Sequence, residues 1–370
     1  MKRLWLYDVL FLLILLMAAL FRSIGLNWDE NQHLHPDERF LTMVETALQA
    51  KTCRQAMPVE ACPSDQQRWL TLKEYFDTKT SPLNPHNRGY GFFVYGTLPI
   101  FVVRYLAEFL GQTGYDQVHL VGRQVSALAD LGTIFILYLV ANRLFNRKVA
   151  LLASAFSALA VMQIQQSHFF TTDTFLVFFM SLALYLAIEL ALLAPDSQRA
   201  RVLNRQLLLS FGFGLALGMA MASKINAVAL AVVLPLALWV RTARQVDSDL
   251  PAISRLGRGL LDLLEDSGVF LYLAGGALTA LLAFRIFQPY AFDGPGLNPL
   301  WVSNLKELAA QSSGDADVPF ALQWARRTHL FSGENLTIWG LGLPLGLTAW
   351  AGFLLLFWRS LRGHLEWLVL

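Results

Sequence analysis

The sequence predicts an all-α polytopic membrane protein, and three observations predict it. The 370 residues are 55% hydrophobic and only 15% charged, where a soluble domain carries about a quarter charged residues. Mean hydropathy is positive. Apolar runs long enough to cross a hydrocarbon core, which takes about 20 residues, recur along the chain with short basic loops between them. The formal charge of +2 is too small to argue for a nucleic-acid partner. The reading is of one transmembrane domain over residues 1–370.

The first run, residues 4–26, follows "MKR". It is too long for the core of a signal peptide and no small-residue cleavage site is evident, so it is read as a span. Further runs centre near residues 130, 156, 183, 216, 232, 277 and 347, giving about eight spans. Lys2 and Arg3, the turn "RLFNRK" at 143–148, Arg199, Arg201 and Arg205, then Arg241, Arg244, Arg255 and Arg258, and last Arg359 and Arg362 fall in alternate loops. By the positive-inside rule those loops are cytoplasmic. The segment "GYGFFVYGTLPIFVVRYLAEFLG", residues 89–111, is nearly apolar enough to span, but counting it would move every later basic loop outside, and it holds Pro99 and Arg104. It is therefore expected to lie along the outer membrane surface or dip into it.

This topology gives the outer face three polar pieces: the loop 27–116, a turn at 163–174, and a segment 288–335. Six of the seven histidines, His33, His35, His86, His119, His168 and His329, lie in or beside them. The first loop opens with "NWDENQHLHPDERF", which has four carboxylates and two histidines in fourteen positions. Pro36 suits the first turn of a helix, where the dipole favours Asp37 and Glu38. Phe40, Leu41, Val44, Ala47 and Leu48 follow at helical spacing, which predicts an amphipathic surface helix. Both cysteines, Cys53 and Cys62, are in this loop, where a disulfide closing "CRQAMPVEAC" is expected and two separate thiols are the alternative.

Asp37 and Glu38 could simply cap their helix. A second carboxylate, Asp173 in "SHFFTTDTF", stands alike at the outer end of another span. Four cations, Arg104, Arg123, Lys224 and Arg285, lie at or just below the same boundary, where a buried charge needs a counter-ion or an anionic ligand. The plain alternative is an ion pair with a nearby acid, such as Arg123 with Asp130 seven residues on. His33 and His35 alternate in a stretch that Pro36 keeps extended, so both could face Asp37 and share a metal such as zinc or manganese, or both could be solvated. Two other classes stay open. A transporter would use Asp130 as an intramembrane ion site but needs more polar groups at mid-depth than Asp130 and Glu189; a scaffold would have no use for Asp37, Asp173 and Lys224 together.

"HPDERFLTMVETAL" resembles the acidic motif after the first span of the polyprenol-phosphate-dependent GT-C glycosyltransferases, the group that includes protein O-mannosyltransferases and the aminoarabinose transferases of lipid A. The likeness continues through "GRQVSALADLGTIFILYLVANRLFNRKVALLASAFSALA", "QSHFFTTDTFLVFF" and "MASKINAVALAVVLP", over about residues 4–240. His168 stands where relatives often show arginine, and "HLEWLVL" resembles the start of a further span, as if the chain were shortened.

The resemblance implies a GT-C-like helix bundle with juxtamembrane helices in the first outer loop. It implies an inverting transfer of a sugar from a polyprenyl phosphate to an acceptor hydroxyl of a glycan, lipid or protein. In it Asp37 would take the acceptor's proton, Glu38 would support Asp37, and Asp173 would position acceptor or sugar or help to hold a divalent metal such as zinc, manganese or magnesium. Lys224, Arg123, Arg104 and Arg285 would bind the departing phosphate, and His33, His35 and His168 would contact acceptor, sugar or metal. The location implied is a bacterial inner membrane with the site toward the periplasm.

Overall fold

The computed structural model describes residues 2–54, 61–194, 204–323 and 325–369, and it is helical nearly throughout. Arg199 and Arg201 of the expected basic loop lie outside the described residues. Among the described residues six single helices are long and apolar enough to cross a membrane: α1 (Lys2–Ser23), α5 (Tyr115–Leu144), α8 (Asp173–Ala191), α9 (Arg205–Ser223), α12 (Gly268–Phe287) and α16 (Leu343–Leu361). A seventh span, Ile225–Gln245, joins a 3-10 stretch to α10 (Val233–Gln245). The eighth expected span, near residue 156, is a pair bent by 59°, α6 (Arg147–Leu159) and α7 (Val161–Ser167). The break at Ala160 brings the chain round before Asp173, so the polar turn expected at 163–174 is reduced to residues 168–172.

The loop 27–116 folds into short helices, with a small hairpin that the sequence reading did not foresee. Pro36 opens α2 (Pro36–Ala47), with Asp37 and Glu38 in its first turn and the His35 ring accepting the N–H of Glu38 at 3.3 Å. Leu41, Val44 and Leu48 are fully buried along one face. A small hairpin, β1 (Lys51–Cys53) with β2 (Gln67–Trp69), carries the Cys53–Cys62 disulfide, and α3 (Leu72–Phe76) follows. The ambiguous segment 89–111 becomes α4 (Thr97–Leu110). At 14 residues it is about 21 Å long, short of the ~30 Å of a bilayer core, and it packs on α2 and α5 around Ile100, Phe101, Val118 and Phe170.

A second apolar cluster joins α8, α9, α10 and α12 and forms the centre of the bundle. Between α10 and α12 runs the amphipathic α11 (Ala252–Glu265). After α12 come a two-residue hairpin, β3 (Phe292–Asp293) with β4 (Gly296–Leu297), and helices α13 (Pro299–Ser313), α14 (Pro319–Leu322) and α15 (His329–Asn335). Residues of "HLEWLVL" form a short 3-10 turn, Leu365–Val369, whose Leu365 and Val369 enter the central cluster.

Candidate active site

The acidic stretch does two different things. Asp29 and Glu38 turn inward to Arg123 of α5, and all three side chains are fully buried. Arg123 makes a fork to each carboxylate: Nε and Nη2 to Glu38 at 2.8 and 2.7 Å, Nη1 and Nη2 to Asp29 at 3.1 and 3.0 Å. It also donates to the Leu26 carbonyl at 2.6 Å. Burial pushes the Asp29 carboxyl up, but hydrogen bonds from Arg123 and the Leu34 N–H outweigh it and hold the group below its ordinary value. Glu38 further accepts the N–H of Phe170 at 2.7 Å, three residues before Asp173. Phe170 reaches α5 because residue 122 is glycine; a Cβ there would stand 2.3 Å from the Phe170 ring.

This clamp fixes the residues on either side of it. Asp37, next to Glu38, is exposed and takes a hydrogen bond from the Tyr95 hydroxyl at 3.1 Å. Burial, the charge of Asp37 and that hydrogen bond, with a further contribution from Asp173, raise the Tyr95 hydroxyl well above its usual pKa, so it stays a donor. Asp173, at the first position of α8, accepts from Lys224 Nζ at 2.8 Å, and both side chains are about two-fifths exposed. Lys224 ends α9 in extended conformation. Gly96 lies against that end, its N–H bonded to the Ser223 carbonyl at 3.2 Å. A Cβ on it would stand 2.1 Å from the Ala222 carbonyl oxygen. That close approach carries Tyr95 to the carboxylates.

Asp37, Asp173 and His35 line one cavity of about 580 Å³, and Asp130 of α5 lines it too. Its far wall comes from Leu336, Gly340 and Leu341 after α15. The volume falls in the ~300–1,000 Å³ typical of small-ligand sites. Asp130 is not paired with Arg123, as the seven-residue spacing allowed; its partner is Arg22 at the end of α1, at 2.5 Å, which also reaches the carbonyls of Ala18 and Ala158.

Several expected site residues stand elsewhere. Glu38 and Arg123 are consumed by the clamp and do not face the cavity. Arg104 is buried, bonded to Glu108 at 2.7 Å and to the Glu45 carbonyl at 2.7 Å, and lines a separate polar cavity with Lys51 and Gln49. Arg285 donates to the Pro289 and Gly294 carbonyls and lies over the Phe292 ring. Of the four cations, Lys224 alone pairs with a carboxylate of this cavity among the described residues. His33 does not share a side with His35: its backbone is left-handed, φ 48°, which breaks the extended alternation. Its ring turns to Asp116 at 3.2 Å and to His119, while His35 packs on Phe169. His168 holds the Ile24 and Ile164 carbonyls at 2.9 and 2.7 Å and lines a small neighbouring cavity with Trp28.

A resident metal fits these residues poorly. Among the described residues no three His, Cys, Asp or Glu side chains converge, and the Lys224 ammonium already supplies the cation at Asp173. Sequence reasoning missed Asp29, which was counted in the acidic stretch without a role, and Tyr95, hidden in the aromatic run "GYGFFVYG". It also missed the Arg22–Asp130 pair.

Residues 99–257 match the family model of dolichyl-phosphate-mannose-protein mannosyltransferase. The fold is similar to that of archaeal oligosaccharyltransferase AglB from Archaeoglobus fulgidus, solved with an inhibitory peptide and a dolichol-phosphate: TM-score 0.51, 16% identity, covering 99% of this chain and 46% of that one. The oligosaccharyltransferase of the same organism solved with Zn and sulfate gives TM-score 0.50 at 14% identity, covering 96% and 44%. The chain thus spans less than half the length of these proteins. No match was found among curated proteins. The matched segment overlaps the part of the resemblance to protein O-mannosyltransferases that runs from residue 122 to 240; the acidic motif at 35–48 lies outside it.

Proposed function

We propose that this chain is an inverting glycosyltransferase that moves a sugar from a polyprenyl phosphate to an acceptor hydroxyl of a glycan, lipid or protein, at the extracytoplasmic face of a bacterial inner membrane. The observation that carries the reading is that Asp37 and Asp173 line one cavity while Lys224 stands paired with Asp173 at 2.8 Å. The family match and the dolichol-phosphate of the solved oligosaccharyltransferase support a lipid phosphate as carrier. The alternate basic loops support the orientation.

Asp37 is the base. It is exposed, and the Tyr95 hydroxyl holds one of its oxygens while leaving the other for the acceptor. The acceptor's hydroxyl proton passes to Asp37 as its oxygen bonds the anomeric carbon. The bond from that carbon to the phosphate oxygen breaks on the opposite side, and its electron pair leaves with the polyprenyl phosphate. Charge grows on the phosphate as the bond breaks, so the Lys224 ammonium stabilises the transition state more than the ground state. Asp173 holds Lys224 in place and faces the acceptor or sugar. No step passes through a metal.

The transport reading loses its site, because Asp130 is neutralised by Arg22 and Glu189 by Arg143 and Arg205. The test is a transfer assay with the purified chain, a panel of radiolabelled polyprenyl-phosphate sugars and a membrane extract as acceptor pool. Label leaving the lipid with wild type and not with Asp37→Asn supports the proposal. No transfer and no binding of any donor by folded protein overturns it.

A further inference from the structure

The deep wall of the active-site cavity holds polar groups that the transfer step does not use. Asp130 is 5% exposed and lines the cavity; its Oδ2 is taken by Arg22, and its Oδ1 has no partner among the described residues. Thr171 and Thr174, 3% and 5% exposed, line the same cavity, and neither hydroxyl has a hydrogen-bond partner among the described residues. Leaving a buried hydroxyl unpaired is costly, so two of them lining the same cavity as a half-free carboxylate point to a ligand that supplies the missing bonds. His35 lines the cavity as well, and its Nδ1 accepts the Glu38 N–H, which leaves Nε2 as the ring nitrogen to donate to a ligand.

Charge decides what that ligand is. Arg22 compensates Asp130 and Lys224 compensates Asp173, so the deep wall offers hydrogen bonds without net charge. An anionic ring would meet carboxylates, and a cationic ring at Asp130 would meet the Arg22 charge already paired there and fully buried. We infer that this wall is a sugar subsite for a neutral, polyhydroxylated ring, with Asp130, Thr171 and Thr174 as the residues that select it. This deepens the proposed function and rests on it for the identification of the ring with the transferred sugar.

The test is equilibrium binding by calorimetry to the full chain in nanodiscs. The probes are polyprenyl phosphate alone, the same carrier bearing a neutral hexose, a hexuronic acid or an amino sugar, and soluble methyl hexosides. Wild type is expected to bind the neutral hexose carrier at least tenfold more tightly than the bare carrier and the charged-sugar carriers. Thr171→Val and Thr174→Val are each expected to lose about three- to tenfold of that gain, the worth of one hydrogen bond. Their binding of bare carrier and their Tm should be unchanged or improved, since no protein partner is lost; a merely structural role would lower Tm instead. Asp130→Asn should lose more, and if it fails to fold the threonine variants still decide.

The subsite is overturned if the hexose adds nothing, if both threonine variants bind it like wild type, or if a charged sugar binds equally well. Should wild type bind no carrier at all, the proposed function falls, and methyl hexosides then decide the subsite by binding wild type and not the variants.

Discussion

Asp37 and Glu38 are neighbours on the first turn of α2, about 100° apart around its axis, yet they belong to different regions with opposite physics. Glu38 joins Asp29 and Arg123 in a cluster with no exposed side chain and every fork of the guanidinium occupied. Asp37 and Asp173 line a cavity and are held loosely, Asp37 by one hydrogen bond from Tyr95 and Asp173 by one ion pair with Lys224, and both remain open to ligand. The difference shows what each kind of charge is for. A buried fork fixes backbone, here the segment from Leu26 to Glu38 and the N–H of Phe170, whereas a half-exposed pair can exchange its partner for a substrate.

The sharpest way to break the comparison is to remove the buried cation. Arg123→Ala leaves two carboxylates buried without a counter-charge, a change that costs about 3–5 kcal/mol for one such pair. The expected result is a large fall in Tm together with loss of transfer. Unchanged Tm would show that the clamp does not hold the loop.

Asp37→Asn probes the other region and should give the reverse pattern. General-base removal costs about 10²–10⁴ in rate, while Asp37 has one hydrogen bond to Tyr95 and an exposed carboxylate, so Tm should stay within a few degrees. A kcat within tenfold of wild type, a barrier change of only ~1.4 kcal/mol, would remove Asp37 as the base. Lys224→Ala should act in the same region more weakly, slowing transfer about ten- to a hundredfold with little change in Tm. Kinetics identical to wild type would exclude it from the phosphate.

How much of this was legible follows the same division. Local signals read well: Pro36 and the spacing of Leu41, Val44 and Leu48 predict α2, and the basic loops predict that 89–111 does not span, which α4 fulfils at 14 residues. The expected disulfide is present. Pairings across the chain did not read. Arg123 and Asp130 share a helix face by spacing, but each is taken by a group from a distant segment, 94 and 85 residues away for Arg123 and 108 for Asp130. Such partners are set by how the loop 27–40 folds back, and left-handed backbone at Glu30, Asn31 and His33 directs that fold. Nothing in the residue types announces it. Arg104 and Lys224 look alike in the sequence for the same reason, although one meets Glu108 a helical turn away and the other meets Asp173 across the bundle.

A third carboxylate on α2 sharpens the comparison at the smallest scale. Glu45 is fully buried like Glu38, but neither of its carboxyl oxygens has a hydrogen-bond partner among the described residues. Burial pushes its carboxyl well above the usual range; the charge of Arg104 opposes the shift and that of Glu108 adds to it. The folded state therefore holds a proton that the unfolded chain releases at the ordinary value near 4.5. The stabilisation is full below that value and is lost as pH rises toward the folded one, at no more than about 1.4 kcal/mol per pH unit for one proton. Glu45→Gln keeps the neutral shape and removes the titration. It should flatten that part of the Tm-against-pH curve and raise Tm on its alkaline side, with transfer unchanged because Glu45 is not among the residues lining the cavity. A variant whose Tm falls in parallel with wild type across the same pH range would show that Glu45 is ionised in the fold. Burial next to Arg104 would then act as a pair, as it does at Arg123.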